Sequence, residues 1–297
     1  MTPAPRVSGR TVGVATQLGT EVSINFGSSL AGVVIPLVGS PVVVAVRQLV
    51  TVLTIGPFYR PRRGDLRWRR LWPAVLLGID VAVMNLAFYE SVHLLGLGIA
   101  ATIEFLGPLA VALVTSRRWL DVLCALVAAV GVVLLTGLDG RIDPWGVVLA
   151  LNAAAAWAGY ILLTRKVALT LPGLEGLTVG SIVSLALLVP LAVATLTLER
   201  LSLPVLALLA AIGVLSSALP YSLDTFILRR LTARLYAVIT SFGPVIAAVF
   251  GALVLGERFT AVEVAAIALV CGAAGTAMAT QRDQPASDLE RTAEAVA

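Results

Sequence analysis

Charged residues are scarce in this chain of 297 residues, of which only 13% are Asp, Glu, Lys or Arg and 59% are hydrophobic. The mean hydropathy is +0.98. A soluble domain carries about 25% charged residues and correspondingly fewer apolar ones. A water-soluble globular fold is therefore excluded, and the composition indicates an integral membrane protein.

The rarest residue types exclude several kinds of chemistry. The single lysine, Lys166, follows Arg165 and precedes Val167, so the Gly-Lys-Ser/Thr of a P-loop is absent. HExxH, GxSxG and paired CxxC motifs are absent too. Nucleotide hydrolysis is thus not expected, no cofactor is implied, and uphill transport would need an ion gradient. The single histidine, His93, has no second histidine with which to build a metal site.

Long apolar runs account for nearly all of the sequence. Since a spanning helix needs about 20 apolar residues, the chain has room for ten spans and no separate soluble domain. We predict an all-α membrane protein with spans at 12–37, 41–59, 71–89, 94–115, 119–137, 144–163, 173–195, 203–228, 235–255 and 260–279. The first is expected to be retained, because it contains polar residues and no small-x-small cleavage site. Cys124 and Cys271 lie inside apolar spans and are expected to be buried small hydrophobes.

Arginine placement predicts the orientation. With the N-terminus in the cytoplasm, 17 of the 21 Lys and Arg residues fall in cytoplasmic segments and 3 in outer loops. The positive-inside rule then places both termini in the cytoplasm. The formal charge of +4 consequently reflects the arginines on the cytoplasmic side of the membrane, and it gives no reason to expect nucleic acid as a partner.

A segment near the middle of the chain occurs twice. Residues 97–115 match residues 233–251, so that Gly107-Pro108 falls on Gly243-Pro244 and Glu104 falls on Thr240. Five spans per copy is an odd number, so the second copy must be inverted in the membrane. We expect a cytoplasmic N-terminus at 1–11, five-helix repeats at 12–138 and 144–280, and a disordered cytoplasmic tail at 281–297.

Buried charge marks the candidate site. A carboxylate at the centre of a membrane helix costs about 2.5–3.5 kcal/mol on insertion scales, so each one suggests a function. The candidate residues for substrate or proton binding are Glu104, Arg47, Asp80, Glu21, Asn25, Asn85, Tyr89, Trp157, Tyr160, Tyr221 and Asp224. Structural roles compete with this interpretation: Arg47 could neutralise Glu104 or Glu21, and Asp224 could pair with Arg229 at the interface.

Two further patterns concern the walls of such a site. Gln17, Glu21, Asn25 and Ser28 recur on one helical face, which cannot face lipid and should line a helix interface or a wet cavity. The Gly107-Pro108 pair next to Glu104 can bend its helix and free backbone groups. Residues such as Trp157 and Tyr160 are more often packing residues or helix anchors than substrate platforms.

Several motifs resemble those of the EamA-type drug/metabolite transporters, over about residues 27 to 275. They are Met84-Asn85, Glu104-Phe105, Gly107-Pro108-Leu109-Ala110-Val111-Ala112-Leu113, Ser116-Arg117-Arg118, Trp157-Ala158, Tyr160-Ile161-Leu162 and Ala218-Leu219-Pro220-Tyr221-Ser222-Leu223. The branch that these motifs resemble most is the threonine/homoserine exporters of the inner membrane.

The resemblance implies two inverted five-helix repeats around a central cavity in the plasma membrane of a prokaryote. It also implies export of small amino acids or related metabolites in exchange for protons. Arg47, Asn85, Glu104, Trp157 and Tyr221 match positions associated with that branch.

Other positions depart from the branch pattern. Asp224 replaces a glutamate, Gly243 stands where a glutamate precedes the proline, and Gly32 stands where a lysine is common. Glu21 and Asp80 are additional charges. The resulting excess of carboxylates would suit a cationic or zwitterionic substrate, or protons.

The leading hypothesis is a proton-coupled exporter that works by alternating access, with a small molecule, protons and the lipid bilayer as partners. Glu104 would be the principal carboxylate and Arg47 its charge partner. A cationic-metabolite or multidrug efflux pump, or an uptake permease, is the alternative within transport. A membrane-embedded enzyme and a non-transporting receptor are alternatives of other classes, and the sequence leaves a homodimer open.

Overall fold

The structure is a computed structural model, and it describes residues 9–58, 67–115, 119–136, 142–171, 175–220 and 233–280 together with Leu223, Ile227 and Leu231. Within these residues the chain is all-helical, without strands. The α-helices are α1 (Gly9–Val38), α2 (Ser40–Ile55), α3 (Trp68–Leu95), α4 (Leu97–Glu104), α5 (Leu106–Thr115), α6 (Trp119–Thr136), α7 (Pro144–Thr170), α8 (Glu175–Thr195), α9 (Leu203–Gly213), α10 (Ala233–Thr240), α11 (Gly243–Phe250) and α12 (Ala261–Thr280).

Short segments of other helical types extend some of these elements. A 3-10 turn, Gly56–Phe58, follows α2, and a second, Leu198–Arg200, precedes α9. The π-helical segments Val214–Ala218 and Gly251–Leu255 continue α9 and α11. Gly251–Leu255 lies at the end of the predicted span 235–255, whereas Val214–Ala218 lies in the middle of the predicted span 203–228. Both change the direction in which backbone groups point.

Seven helices of the described chain are long and apolar enough to cross a membrane. Three shorter apolar helices accompany them: Ser40–Ile55, Leu97–Val111 and Leu203–Ala218. Large apolar side chains such as Leu18, Val22 and Leu53 are 41%, 45% and 64% exposed. Such exposure would be a liability in water but is expected of side chains that face lipid.

Helices of the first half of the chain pack against helices of the second half. α3 packs against α7 and α8, α2 against α8 and α9, α1 against α9 and α11, α4 against α11, and α6 against α12. The largest apolar cluster joins α1, α2, α8 and α9 through fully buried side chains such as Val34, Val43 and Ile212. The halves predicted from the repeat therefore share one core.

The polar face predicted for the first span is confirmed. Gln17, Glu21, Asn25 and Ser28 are 0%, 6%, 8% and 4% exposed, whereas Phe26 on the other face is 37% exposed. The prediction of buried cysteines is also confirmed, since Cys124 and Cys271 are free and buried.

The bend predicted next to Gly107-Pro108 is confirmed, and the structure has a second helix break before Gly243-Pro244. α4 ends at Glu104 and α5 begins at Leu106, and α10 ends at Thr240 before α11 begins at Gly243. Proline supplies no backbone N–H and clashes with the preceding turn, so each pair interrupts the helical hydrogen bonds just before it.

Some predicted boundaries were wrong. Glu90 and His93 fall between the predicted spans 71–89 and 94–115, in what would be an outer loop, but both belong to α3, which continues to Leu95. The connection to α4 needs only Gly96, whose φ of +84° is accessible to glycine at no steric cost. The second predicted span, 41–59, ends as an α-helix at Ile55, before Gly56-Pro57.

Candidate functional site: a buried arginine with neutral partners

Arg47 of α2 is the centre of a buried hydrogen-bond network, with only 8% of its surface exposed. Its Nη1 donates to Asn85 Oδ1 at 2.9 Å and to the Tyr89 hydroxyl at 2.7 Å, both on α3. Its Nε donates to Ser217 Oγ at 3.1 Å and its Nη2 to the Ser216 carbonyl oxygen at 3.0 Å. The guanidinium group therefore joins α2 and α3 of the first half of the chain to the segment Val214–Ala218 of the second half.

Tyr89 holds the guanidinium group in a second way. The Arg47 Cζ lies 5.1 Å from the centroid of the Tyr89 ring, within the range of a cation–π contact. Tyr89 is completely buried, and its hydroxyl also lies 3.2 Å from Ser28 Oγ on α1. The phenol group thus orients Arg47 from the face and from the edge.

The π-helical segment Val214–Ala218 supplies the remaining partners. A π-helix shifts the backbone hydrogen bonds by one residue, and such segments are frequent at functional sites. Here the Ser216 carbonyl oxygen accepts from Arg47, and Ser23 Oγ donates to the Leu215 carbonyl oxygen at 2.8 Å. Sequence reasoning missed Ser216 and Ser217, although two adjacent serines in an apolar span were a usable signal.

Arg47 has no carboxylate partner within the described part of the chain. The direct pairing with Glu104 or Glu21 considered from the sequence is not formed, because the acceptors that Arg47 contacts are two hydroxyls, an amide oxygen and a carbonyl oxygen. Glu104 lies only within electrostatic reach of the guanidinium group. A buried cation without a counterion is costly, so this arrangement suits a site that receives an anionic group.

Glu104 ends α4 at the first helix break. It is half-buried, and it forms neither a hydrogen bond nor an ion pair with any residue that the structure describes. The next residue, Phe105, meets Trp157 of α7 edge to face, with ring centroids 5.5 Å apart and planes at 80°. The helix break and this aromatic pair leave the carboxylate beside α7 with its hydrogen-bonding capacity unused.

The polar face of α1 approaches the second helix break. Gln17 Nε2 donates to Glu21 Oε1 at 3.1 Å and to Thr240 Oγ1 at 3.2 Å. A Cβ atom on Gly243 would lie 3.4 Å from Glu21 Oε2. Asn25 Nδ2 donates to the Glu21 backbone carbonyl oxygen at 2.9 Å, one turn earlier. Glu21 is therefore brought to the Gly-Pro pair of the second half.

Asp80 and Tyr160 occupy the contact between α3 and α7. Asp80 Oδ1 lies 2.9 Å from the position that a Cβ atom of Gly159 would take, and Asp80 Oδ2 is buried without a hydrogen-bond partner among the residues that the structure describes. Tyr160 packs against an apolar cluster that includes Leu77 and Val81. After Glu104 on α4, Asp80 on α3 is consequently a second carboxylate with unused hydrogen-bonding capacity among the described residues. Tyr160 has a packing role at the same contact. Tyr221 and Asp224 lie outside the described residues.

A helical membrane bundle in which the described residues give a buried arginine no counterion, and in which the carboxylate of Glu104 ends a broken helix, is typical of a membrane transporter. The model of the EamA-like transporter family matches residues 144–280. Over 266 residues the chain is 36% identical to the threonine/homoserine exporter RhtA of Salmonella typhimurium strain LT2, covering 89% of this chain and 90% of that protein. The RhtA protein of Escherichia coli K12 is 34% identical over 272 residues, covering 90% and 92%. The chain belongs to the EamA-like transporter family and is a multi-pass membrane protein.

A solved crystal structure has the same fold. It aligns with a TM-score of 0.58 at 19% identity, covering 92% of this chain and 98% of its own. At this level of identity the likeness concerns the fold alone, and the function has to be argued from the site.

Proposed function

We propose that this chain exports small zwitterionic amino acids of the threonine or homoserine type in exchange for protons. The observation that carries the proposal is the buried guanidinium group of Arg47, which is surrounded by neutral acceptors and lacks a carboxylate among the residues that the structure describes. The names of the bacterial relatives favour the same substrates and the export direction.

The carboxylate of the substrate would be recognised by Arg47. A guanidinium group has five N–H donors, and the neutral partners of Arg47 accept from four of them. The neutral partners fix the plane of the group without cancelling its charge. An entering carboxylate would therefore gain both the remaining N–H donor and the full electrostatic attraction of a poorly hydrated cation.

Glu104 would supply the coupling to protons. An unpaired carboxylate in a low-dielectric site can be neutralised either by a proton or by the ammonium group of a substrate. The two cannot be bound there at once. Binding of the amino acid from one side and of a proton from the other would then give obligatory exchange. The bend next to Glu104 and the Trp157–Phe105 contact would shape the pocket around the substrate.

The remaining candidate residues would form the wall of the same pathway. We assign Asn85 and Tyr89 to the orientation of Arg47, and Asp80 and Glu21 to secondary proton or amine binding. Asn25, Trp157, Tyr160, Tyr221 and Asp224 complete the proposed lining, with Tyr160 contributing through packing.

Alternating access of two inverted five-helix repeats would move the substrate. In support, the contacts between the predicted halves occur in matched pairs: α1 with α9 corresponds to α7 with α3, and α2 with α9 corresponds to α8 with α3. The helix breaks also recur at Glu104 and Thr240, which are equivalent in the repeat. Ten spans, cytoplasmic termini and a location in the plasma membrane complete the proposed topology.

Proteoliposomes test the substrate class directly. Uptake of labelled threonine should be compared with that of an amino alcohol that lacks the carboxylate and a hydroxy acid that lacks the amine. We expect only the zwitterion to be exchanged, and Arg47→Gln to abolish exchange while Arg69→Gln, at an exposed arginine, preserves it. Equal transport of the amino alcohol would contradict the role of Arg47 and favour a pump for cationic metabolites. Formation of a covalent product would favour a membrane enzyme, and saturable binding without flux would favour a receptor.

A further inference from the structure

Glu257 connects the end of the second half to the first half of the chain. It lies in the segment between Gly251–Leu255 and α12, outside the apolar spans. Its Oε1 accepts from the backbone N–H of Leu97 at 2.5 Å, and its Oε2 accepts from that of Gly98 at 3.2 Å. The carboxylate therefore caps the first turn of α4 from a position 160 residues away in the chain.

The surroundings of this carboxylate leave little freedom. A Cβ atom on Gly96 would lie 2.8 Å from Glu257 Oε1, and one on Gly251 would collide with Glu257 Oε2. Phe259 closes the same contact from beside Gly98. Burial raises the pKa of Glu257, and the backbone N–H groups of Leu97 and Gly98 lower it again. Both oxygens are thus held against the helix end by close packing as well as by hydrogen bonds.

The capped helix is the one that ends in Glu104. α4 contains only 8 residues, from Leu97 to Glu104. At 1.5 Å per residue, the cap and Glu104 lie only about 10 Å apart at the two ends of one hydrogen-bonded helical segment. α4 also packs against α11 of the second half, with Ala247 completely buried between them. A shift of the capped end would therefore move Glu104 at the other end.

We infer that Glu257 is a positioning residue and latch: by capping α4 it holds the two halves together at that end of the bundle and fixes the place of Glu104. The latch itself is inferred from the geometry of the cap, and its effect on transport rests on the proposed function. Opening of that end would require both backbone hydrogen bonds to break, so the latch sets how often α4 and α11 separate.

Thiol labelling tests the latch without any transported substrate. In full-length protein with Cys124 and Cys271 replaced by alanine, Ala247→Cys places a single thiol between α4 and α11. We expect N-ethylmaleimide to label this thiol at least about fivefold faster when Glu257→Gln weakens the cap, a ratio typical of losing about 1 kcal/mol of capping energy. Gly251→Ala, which displaces the carboxylate without changing it, should act in the same direction.

Two matched variants serve as controls. Glu263 caps its own helix by accepting from the Thr260 N–H at 2.6 Å. Glu263→Gln therefore removes a capping charge that does not connect the two halves of the chain. A Cβ atom added to Gly272 would have nothing within 4 Å, so Gly272→Ala places a methyl group in open space. Labelling at the wild-type rate in both Glu257→Gln and Gly251→Ala, or equal acceleration in the controls, overturns the latch.

Transport measurements separate positioning from plain structural support. Glu257→Gln should lower the turnover of threonine exchange about tenfold, while the equilibrium dissociation constant of threonine changes less than twofold. Glu257→Asp should restore part of the turnover. Loss of binding and turnover together would refute a positioning role. If wild-type protein binds no threonine, the proposed function fails, and the labelling rates still decide whether the latch exists.

Discussion

Arg47 and Tyr89 are joined twice, by a hydrogen bond of 2.7 Å from Nη1 to the phenol oxygen and by a cation–π contact of 5.1 Å. The two residues come from neighbouring helices, α2 and α3, and both are buried. A guanidinium group held in this way keeps one orientation without losing its charge. The phenol group should therefore matter for substrate binding more than for the fold.

Tyr89→Phe should weaken substrate binding. The variant keeps the ring but removes the oxygen that accepts from Arg47, and a hydrogen bond to a charged group contributes about 1.5–3 kcal/mol. We expect the half-saturating concentration of threonine to rise at least about tenfold. Ser91→Ala is the control, because the Ser91 hydroxyl donates to the Phe88 carbonyl oxygen in its own helix. An unchanged half-saturating concentration in Tyr89→Phe would show that Arg47 does not depend on the phenol group.

Gly107→Ala should destabilise the fold. A Cβ atom at this position would collide with the Ala154 carbonyl oxygen of α7, and backbone atoms cannot move aside cheaply. Overpacking of this kind costs about 1–3 kcal/mol. Thermal unfolding in detergent should show a lower midpoint for Gly107→Ala and no change for Gly272→Ala. Equal midpoints would mean that α5 and α7 are less tightly packed than the structure shows.

Asp80→Asn should stabilise the protein. The Oδ2 atom of Asp80 is buried, no described residue forms a hydrogen bond with it, and the amide removes the cost of burying a charge there. We expect a higher unfolding midpoint in detergent, equivalent to at least about 1 kcal/mol. Asp143→Asn is the control: Asp143 caps α7 by accepting from the Trp145 N–H at 2.8 Å, and asparagine caps helices about as well. A lower midpoint in Asp80→Asn would reveal a stabilising partner of that carboxylate.

Local sequence signals predicted the features that depend on neighbouring residues. The spacing of Gln17, Glu21, Asn25 and Ser28 is set by the helical period, so their common burial followed from the sequence. The helix break before Gly107-Pro108 followed from the chemistry of proline.

Partners that are distant in the chain could not be predicted in this way. The choice of neutral partners for Arg47 depends on where α9 changes to a π-helix, and the cap of α4 by Glu257 depends on the packing of two halves. The short turn at Gly96 was missed because the polar residues Glu90 and His93 resembled a loop, although their helix continues past them. Tertiary packing decides each of these features.

Proton-coupled exchange by Glu104→Gln protein tests the central claim most directly. Purified wild-type and variant proteins in liposomes with an internal pH dye should be given threonine on one side, and the proton flux and the labelled threonine flux recorded together. Wild-type protein should move protons against threonine, and Glu104→Gln should lose this proton movement while remaining folded, since the amide cannot exchange a proton. Proton movement in Glu104→Gln at the wild-type rate would contradict the claim and remove Glu104 from the mechanism.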